Sequence, residues 1–196
     1  MKTALVVENI SENLVIRFNR PKIRSPLSTF VLAELHEILD RVITEKQNTS
    51  IIFTGRDDVF ASGADLREIA KVTGETAKEF AIYGQSLMNK IARTNAIAAV
   101  NGYCFGGALD LALACKKRVA APHAQFSHPG ANLGIMTGWG GTQRLPRLVG
   151  QAAALEMFFT AKRVFAGEAL KIGLIDRISI NPLETALELS AEQTSA

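Results

Sequence analysis

Residues 96–115 run AIAAVNGYCFGGALDLALAC, and their character changes twice. Residues 96–100 read as a buried strand, Asn101-Gly102 as a turn and Gly106-Gly107 as a tight step, after which comes an apolar helix carrying one acid, Asp110. A strand that breaks at glycines and starts a helix aims unsatisfied N–H groups, with the positive end of the helix dipole, at one point. Such a point suits an anion, either a bound phosphate or an oxyanion formed in a reaction. The same residues also suit an ordinary strand-to-helix crossing whose glycines serve only close packing.

A second bend shares the design. In FASGADL, residues 60–66, the backbone turns through small residues just before a helix and again presents free N–H donors. Two donors from separate bends, if they converge, make an oxyanion hole. Other anion-binding and nucleophile motifs do not fit. No G-x-G-x-x-G follows the first strand and no G-x-x-x-x-G-K-[ST] occurs, which removes the Rossmann and P-loop readings. Ser62 lacks the flanking glycines of a nucleophile elbow, since Phe60 and Ala64 occupy those places.

The rest of the chain alternates strand and helix. Residues 5–7 and 14–18 read as a hairpin, and residues 19–28, NRPKIRSPLS, as a proline-rich loop ending at Ser28. That serine is suited to cap a helix whose apolar residues Val31, Leu32, Leu35, Ile38, Leu39, Val42 and Ile43 recur at helical spacing. A buried strand is expected at residues 51–54, and an amphipathic helix over 75–93 with Phe80, Leu87, Met88 and Ile91 on one face. Downstream come strands near 118–121, 125–127 and 173–175, helices near 142–148, 152–161 and 167–172, and a last helix over 182–192. This order predicts an α/β fold with parallel sheet and right-handed crossovers. The division expected is a core domain over residues 1–181 and a short C-terminal helix and tail over 182–196.

Composition narrows the class. At 196 residues, 47% hydrophobic and 21% charged, the chain reads as a globular domain with a sizeable core. No uncharged run reaches bilayer length, and the N-terminal MKTALVVENI meets Glu8 without a cleavage site, so it reads as a strand. Cys104 and Cys115 form no metal or disulfide pattern and read as small core residues, which points to a reducing cytoplasm. The net charge of +3 is spread among acids, so neither nucleic acid nor a membrane surface is an expected partner. The cluster Lys116-Lys117-Arg118 falls where a helix should end, and the helix dipole accounts for it.

The ordered motifs NRPKIRSPLS, FASGADLREIA, AVNGYCFGGALDLALAC, AQFSHPGANLGIMTGWGGTQRLPRLVG and A-x-x-A-L-K-I-G-L-I-D-R together resemble the crotonase, or enoyl-CoA hydratase/isomerase, superfamily. The likeness runs from about residue 5 to 177. It implies a crotonase-like spiral of ββα units, acyl-CoA thioester substrates with no further cofactor, and a homo-oligomer, a trimer or a dimer of trimers. It also implies a thioester enolate held by two backbone N–H groups, which map onto Ala64 and Gly107. Ser62, Asp65 and Leu66 would line the path of the CoA, with Arg24 and Ser25 alongside.

Hydratases of the family carry two glutamates, and this sequence departs at both. The first position holds Asp110 and the second Gly130, in H-P-G-A. Adding water across a double bond wants two positioned groups, so loss of the second acid bears on the reaction. His128 is a candidate base or acid, or else a loop histidine bonded to backbone. Trp139, beside Thr137 and Gly138, lines the acyl pocket or serves as a core aromatic. The resemblance also implies more C-terminal helices than follow residue 177. Three readings stay open: a hydratase or isomerase, a non-catalytic acyl-CoA-binding or assembly module, and a decarboxylase or hydrolase on the same scaffold.

Overall fold

The computed structural model describes residues 3–45 and 49–194. The chain opens with an antiparallel hairpin, β1 (Leu5–Ile10) and β2 (Asn13–Phe18), turning through Ser11 at φ +54°. The loop after it contains a single 3-10 turn, Pro21–Ile23. Helix α1 (Thr29–Thr44) then starts at Ser28, whose hydroxyl accepts from the Val31 N–H. Strands β3 (Ser50–Thr54) and β4 (Val59–Ala61) lead to the single turn of α2 (Leu66–Ile69) and to α3 (Ala77–Ala92). Next come β5 (Ala96–Val100), β6 (Tyr103–Phe105), α4 (Gly107–Ala114), β7 (Lys117–Ala120) and β8 (Gln125–Ser127). A 3-10 segment, Pro129–Leu133, precedes α5 (Gly141–Val149) and α6 (Gln151–Thr160). The chain ends through β9 (Val164–Phe165), α7 (Ala166–Lys171), β10 (Arg177–Ile178) and α8 (Pro182–Thr194).

The strands form two sheets, ordered β1-β2-β3-β5-β7-β10 and β4-β6-β8-β9, and parallel except at β1–β2 and β8–β9. Each successive pair, β3/β4, β5/β6 and β7/β8, places one strand in each sheet. The chain therefore climbs as a spiral of short strand pairs, as the resemblance implies. Asn101 joins two steps of the spiral: its Oδ1 accepts from the Gly55 N–H at 2.8 Å and its Nδ2 donates to the Asp57 carbonyl at 2.7 Å. Gly102 is required beside it, since a Cβ there would lie 1.7 Å from the Asp58 carbonyl oxygen.

β3 and β5 are buried on both faces, which explains their unbroken apolar runs. One face, with Ile51, Phe53, Ala96, Ala98 and Val100, meets the core built by α1, α3 and α4. The other, with Ile52, Ile97 and Ala99 and with Val15 of β2 beside them, packs against Ala186, Leu183 and Leu187 of α8. α4 lies at the centre with all eight residues buried, so it is apolar all round rather than striped. Among the described residues no helix is long and apolar enough to cross a membrane.

Several expectations need correction. Residues 173–175 form no strand: Gly173, at φ +78°, turns the chain out of α7, and the Leu174 N–H bonds back to the Ala169 carbonyl. The strand is two residues further on, at Arg177–Ile178. β6 and β9, of three and two residues, escape any periodic signal. Ile43 of α1 faces solvent, whereas Val31, Leu32, Leu35, Leu39 and Val42 are buried. Arg118 stands at the end of α4 as expected, at the C-cap Cys115, but it is more than a helix-end charge. It is buried, donates to the Cys115 carbonyl at 2.7 Å, and pairs with Asp176 at 3.2 Å.

Candidate active site

The two glycine bends converge. Gly63 has φ +87° and Gly106 has φ +54°, conformations that side chains disfavour, and each turns the next residue's N–H out of the chain's own ladder. A Cβ on Gly63 would lie 2.6 Å from the Gly107 nitrogen, and one on Gly107 would lie 3.3 Å from the Ala64 nitrogen. The bends are thus in contact, backbone to backbone. Among the described residues, neither the Ala64 nor the Gly107 N–H donates a hydrogen bond. Leu27 ties the proline-rich loop to the first bend by donating to the Gly63 carbonyl at 2.8 Å.

Both donors open into a cavity of about 360 Å³. Its wall is mostly apolar: Leu66, Phe80, Ile135, Met136, Trp139 and Phe158 contribute, with Ser62, Gly130, Gly138, His128 and Thr137 supplying backbone or polar groups. Trp139 settles both of its expected roles at once, being 3% exposed and part of the wall. Its indole lies between two helices and touches a glycine on each. A Cβ on Gly84 would come 2.2 Å from the five-membered ring, and one on Gly107 would come 2.4 Å from the six-membered ring.

Asp110 sits on the first turn of α4 behind this wall, with 0% exposure. Burial is the main cause that lifts its pKa to about 7. The Thr137 hydroxyl, the N–H groups of Trp139 and Gly141, and more distantly Arg144 act the other way. Thr137 Oγ1 is hydrogen-bonded to Oδ2, whereas Oδ1 has no hydrogen-bond partner. Gly141 must be glycine here, because a Cβ would stand 2.1 Å from Oδ1.

His128 packs against Phe158 with ring centroids 5.1 Å apart, and neither ring nitrogen has a hydrogen-bond partner. Burial pushes its pKa down to about 4, so the imidazole is neutral near pH 7. Its Nε2 stands 3.6 Å from Asp110 Oδ1, and this approach is a contact of a neutral ring with a carboxyl rather than an ion pair. The reading of His128 as a loop histidine bonded to backbone is thereby corrected.

Ala64, Gly107, Ser62, Leu66, His128, Gly130, Thr137, Gly138 and Trp139 meet at the cavity. Arg24, Ser25 and Asp65 are not in its wall. Ser25 is buried and its hydroxyl accepts from the Arg20 N–H at 3.1 Å, while Arg24 closes the 3-10 turn at φ +59°. The Asp65 carboxyl caps α2 through the Arg67 N–H at 2.9 Å. The Arg67 guanidinium hydrogen-bonded to it holds its pKa below the ordinary value. Phe80, Met136 and Phe158 escaped sequence reading as wall residues. The signal available for one of them was a run of apolar residues, Ile135 and Met136, in a loop where polar ones are usual. Among the described residues no three His, Cys, Asp or Glu side chains group as a metal site.

The sequence pattern of the family described as enoyl-CoA hydratase/isomerase matches residues 9–192. The short-chain-enoyl-CoA hydratase of Clostridium acetobutylicum is 34% identical over 192 residues, covering 95% of this chain and 73% of that protein. The crotonyl-CoA hydratase of Syntrophomonas wolfei is 36% identical over 188 residues, covering 94% and 72%. Among solved structures, an enoyl-CoA hydratase from Bacillus anthracis superposes with a TM-score of 0.92 at 32% identity, over 99% of this chain and 78% of that one. DspI from Pseudomonas aeruginosa matches with the same score and identity, over 100% and 82%.

Proposed function

Because this chain belongs to the enoyl-CoA hydratase/isomerase family, we propose that it acts on an acyl-CoA thioester through an enolate held at Ala64 and Gly107. The observation that carries the proposal is the contact between the two glycine bends, which leaves two undonated N–H groups side by side in the wall of an apolar cavity. The thioester oxygen is read as lying between them. When a proton leaves the α-carbon, or a nucleophile adds at the β-carbon, negative charge moves onto that oxygen. Fixed dipoles stabilise it without reorganising, by a few kcal/mol per donor.

Asp110 is assigned the proton. With a pKa of about 7 it is present near neutrality in both forms, so it can accept a proton from carbon or water and return it. His128, neutral and without a hydrogen-bond partner, is read as a polar contact for the reacting end of the acyl group. No cofactor enters the chemistry, since the CoA thioester itself supplies the acidity of the α-carbon. The test is turnover of crotonyl-CoA, 3-hydroxybutyryl-CoA and malonyl-CoA. Conversion of at least one is expected; binding of all three with conversion of none would overturn the catalytic reading.

Gly130 favours a second reading, an acyl-CoA-binding module or a decarboxylase, because the second carboxylate of the hydratase pattern is absent there. Restoring that acid should not create an efficient hydratase. A Cβ at position 130 would fall 2.5 Å from the Ile135 carbonyl oxygen, and the Ile135 N–H bonds the Gly130 carbonyl at 3.0 Å, so the turn has closed on the space. Gly130→Glu is expected to lower stability by about 1–3 kcal/mol with no gain in crotonyl-CoA hydration, measured by denaturant unfolding and by initial rates. A gain in rate at unchanged stability would refute this account of the turn.

A further inference from the structure

We infer that Thr137 relays the proton between Asp110 and the bound thioester. The inference rests on the reading of the site proposed above. Asp110 has no exposed surface and is not among the residues that line the cavity, so its carboxyl reaches a substrate only through a group in the wall. Two polar side chains lie between them, His128 and Thr137. The His128 Nε2 is 3.6 Å from Oδ1, beyond hydrogen-bonding distance. Of the side chains, Thr137 alone is both bonded to the carboxyl, at Oδ2, and part of the wall.

A hydroxyl is donor and acceptor at once, which makes this position a switch point. With Asp110 ionised, the Thr137 O–H donates to Oδ2. With Asp110 protonated on Oδ2, the acid O–H donates to the threonine oxygen and the threonine's own O–H is free to turn toward the cavity. In the relay the Asp110 O–H bond breaks and a new Thr137 O–H bond forms, while the old Thr137 O–H breaks and its proton goes to carbon. The enolate C=C pair makes the new C–H bond. Asp110 ends ionised and Thr137 is regenerated. In the reverse direction the C–H pair becomes the enolate, its charge resting on the thioester oxygen, and Asp110 ends protonated. β-Branching at Thr137 limits χ1, which helps keep the hydroxyl aimed. The other ionisable groups facing Asp110 are Arg144 from α5, Cys104 from β6 and His128, and none of them provides a bonded path into the cavity.

The experiment compares wild type, Thr137→Val, Thr137→Ser, Asp110→Asn and the Asp110→Asn/Thr137→Val double variant. The readouts are hydration of crotonyl-CoA and deuterium wash-in at the α-carbon of butyryl-CoA in D₂O, with circular dichroism as the check on folding. Thr137→Val is expected to lower kcat and wash-in about 100-fold with KM within about threefold of wild type, Thr137→Ser to stay within about tenfold, and the double variant to be no slower than Asp110→Asn. An active wild type with Thr137→Val within threefold of it overturns the relay alone. So does a Thr137→Ser as slow as the valine variant, which would assign the loss to packing. Should Thr137→Val not fold, Thr137→Ala takes its place under the same limits. A wild type that shows no wash-in and converts none of crotonyl-, 3-hydroxybutyryl- and malonyl-CoA while binding all three overturns the reading of the site and the relay with it; one that converts malonyl-CoA without wash-in into butyryl-CoA overturns the relay alone.

Discussion

Asp110→Asn is expected to lower turnover of any processed thioester by about 10²–10⁴-fold while the fold stays intact. Asparagine keeps the size of the side chain and can still bond the Thr137 hydroxyl, so it removes the exchangeable acid and little else. The pH dependence gives an independent handle. Wash-in at the α-carbon needs the ionised carboxylate, so its rate in the wild type should rise through about pH 7 and the rise should vanish in the variant. Stability should move the other way. The folded-state pKa of Asp110, about 7, lies above the unfolded value near 3.8, so between these limits the native state holds a proton the unfolded state has lost. Its contribution is therefore present below pH 4 and is lost as pH rises to 7. His128, with its pKa lowered to about 4, contributes the opposite slope, gaining stability between pH 4 and 6.5. The melting temperature of Asp110→Asn relative to wild type should thus climb from pH 4 to pH 7 and then level off. A difference that is flat with pH would mean that the carboxyl is not the buried, raised group described here.

That trade-off bears on how much of the site can be read in advance. The strand at 96–100 was legible to the residue because both its faces are covered, and a short uninterrupted apolar run between turn residues has few other uses. The two bends were legible because glycine before a helix is a backbone signal that needs no knowledge of the partner. Their contact was not, since it depends on how β4 and β6 pair across the second sheet, and strands of three residues leave no periodic trace. Arg24, Ser25 and Asp65, expected along the path of the CoA, stand outside the cavity wall. Each lies beside a motif that carries chemistry, yet Ser25 and Asp65 spend their polar atoms on a turn and a helix cap, a demand that local sequence expresses in the same residue types. The 0% exposure of Asp110 was likewise hidden, because an acid within an apolar helix reads the same whether it faces solvent, a cavity or the back of a wall.

Gly107→Ala is expected to cost about 10²–10³-fold in kcat/KM, the range found when one oxyanion donor is lost. Position 107 begins a helix at an ordinary backbone conformation, where alanine is the better helix former, so local propensity predicts a harmless or stabilising change. Packing predicts the reverse. The new methyl would stand 2.4 Å from the six-membered ring of Trp139, and the indole cannot slide along its own plane because Gly84 already meets the five-membered ring at the distance that excludes a side chain. Either the ring tilts into the cavity or the Gly107 N–H turns away from its Ala64 neighbour, 3.3 Å from the added Cβ. Both outcomes disturb the oxyanion position. A second substitution distinguishes this from general damage. Trp139→Ala removes the obstacle, so the double variant should recover part of the rate that Gly107→Ala loses, giving a coupling of about 1–3 kcal/mol in a double-mutant cycle on kcat/KM. Additive losses, or a Gly107→Ala protein as active as wild type, would show that the Gly107 N–H does not hold the developing charge. Ala64 would then be left as the one donor of the pair, and a single-donor site would have to stabilise the enolate by other means.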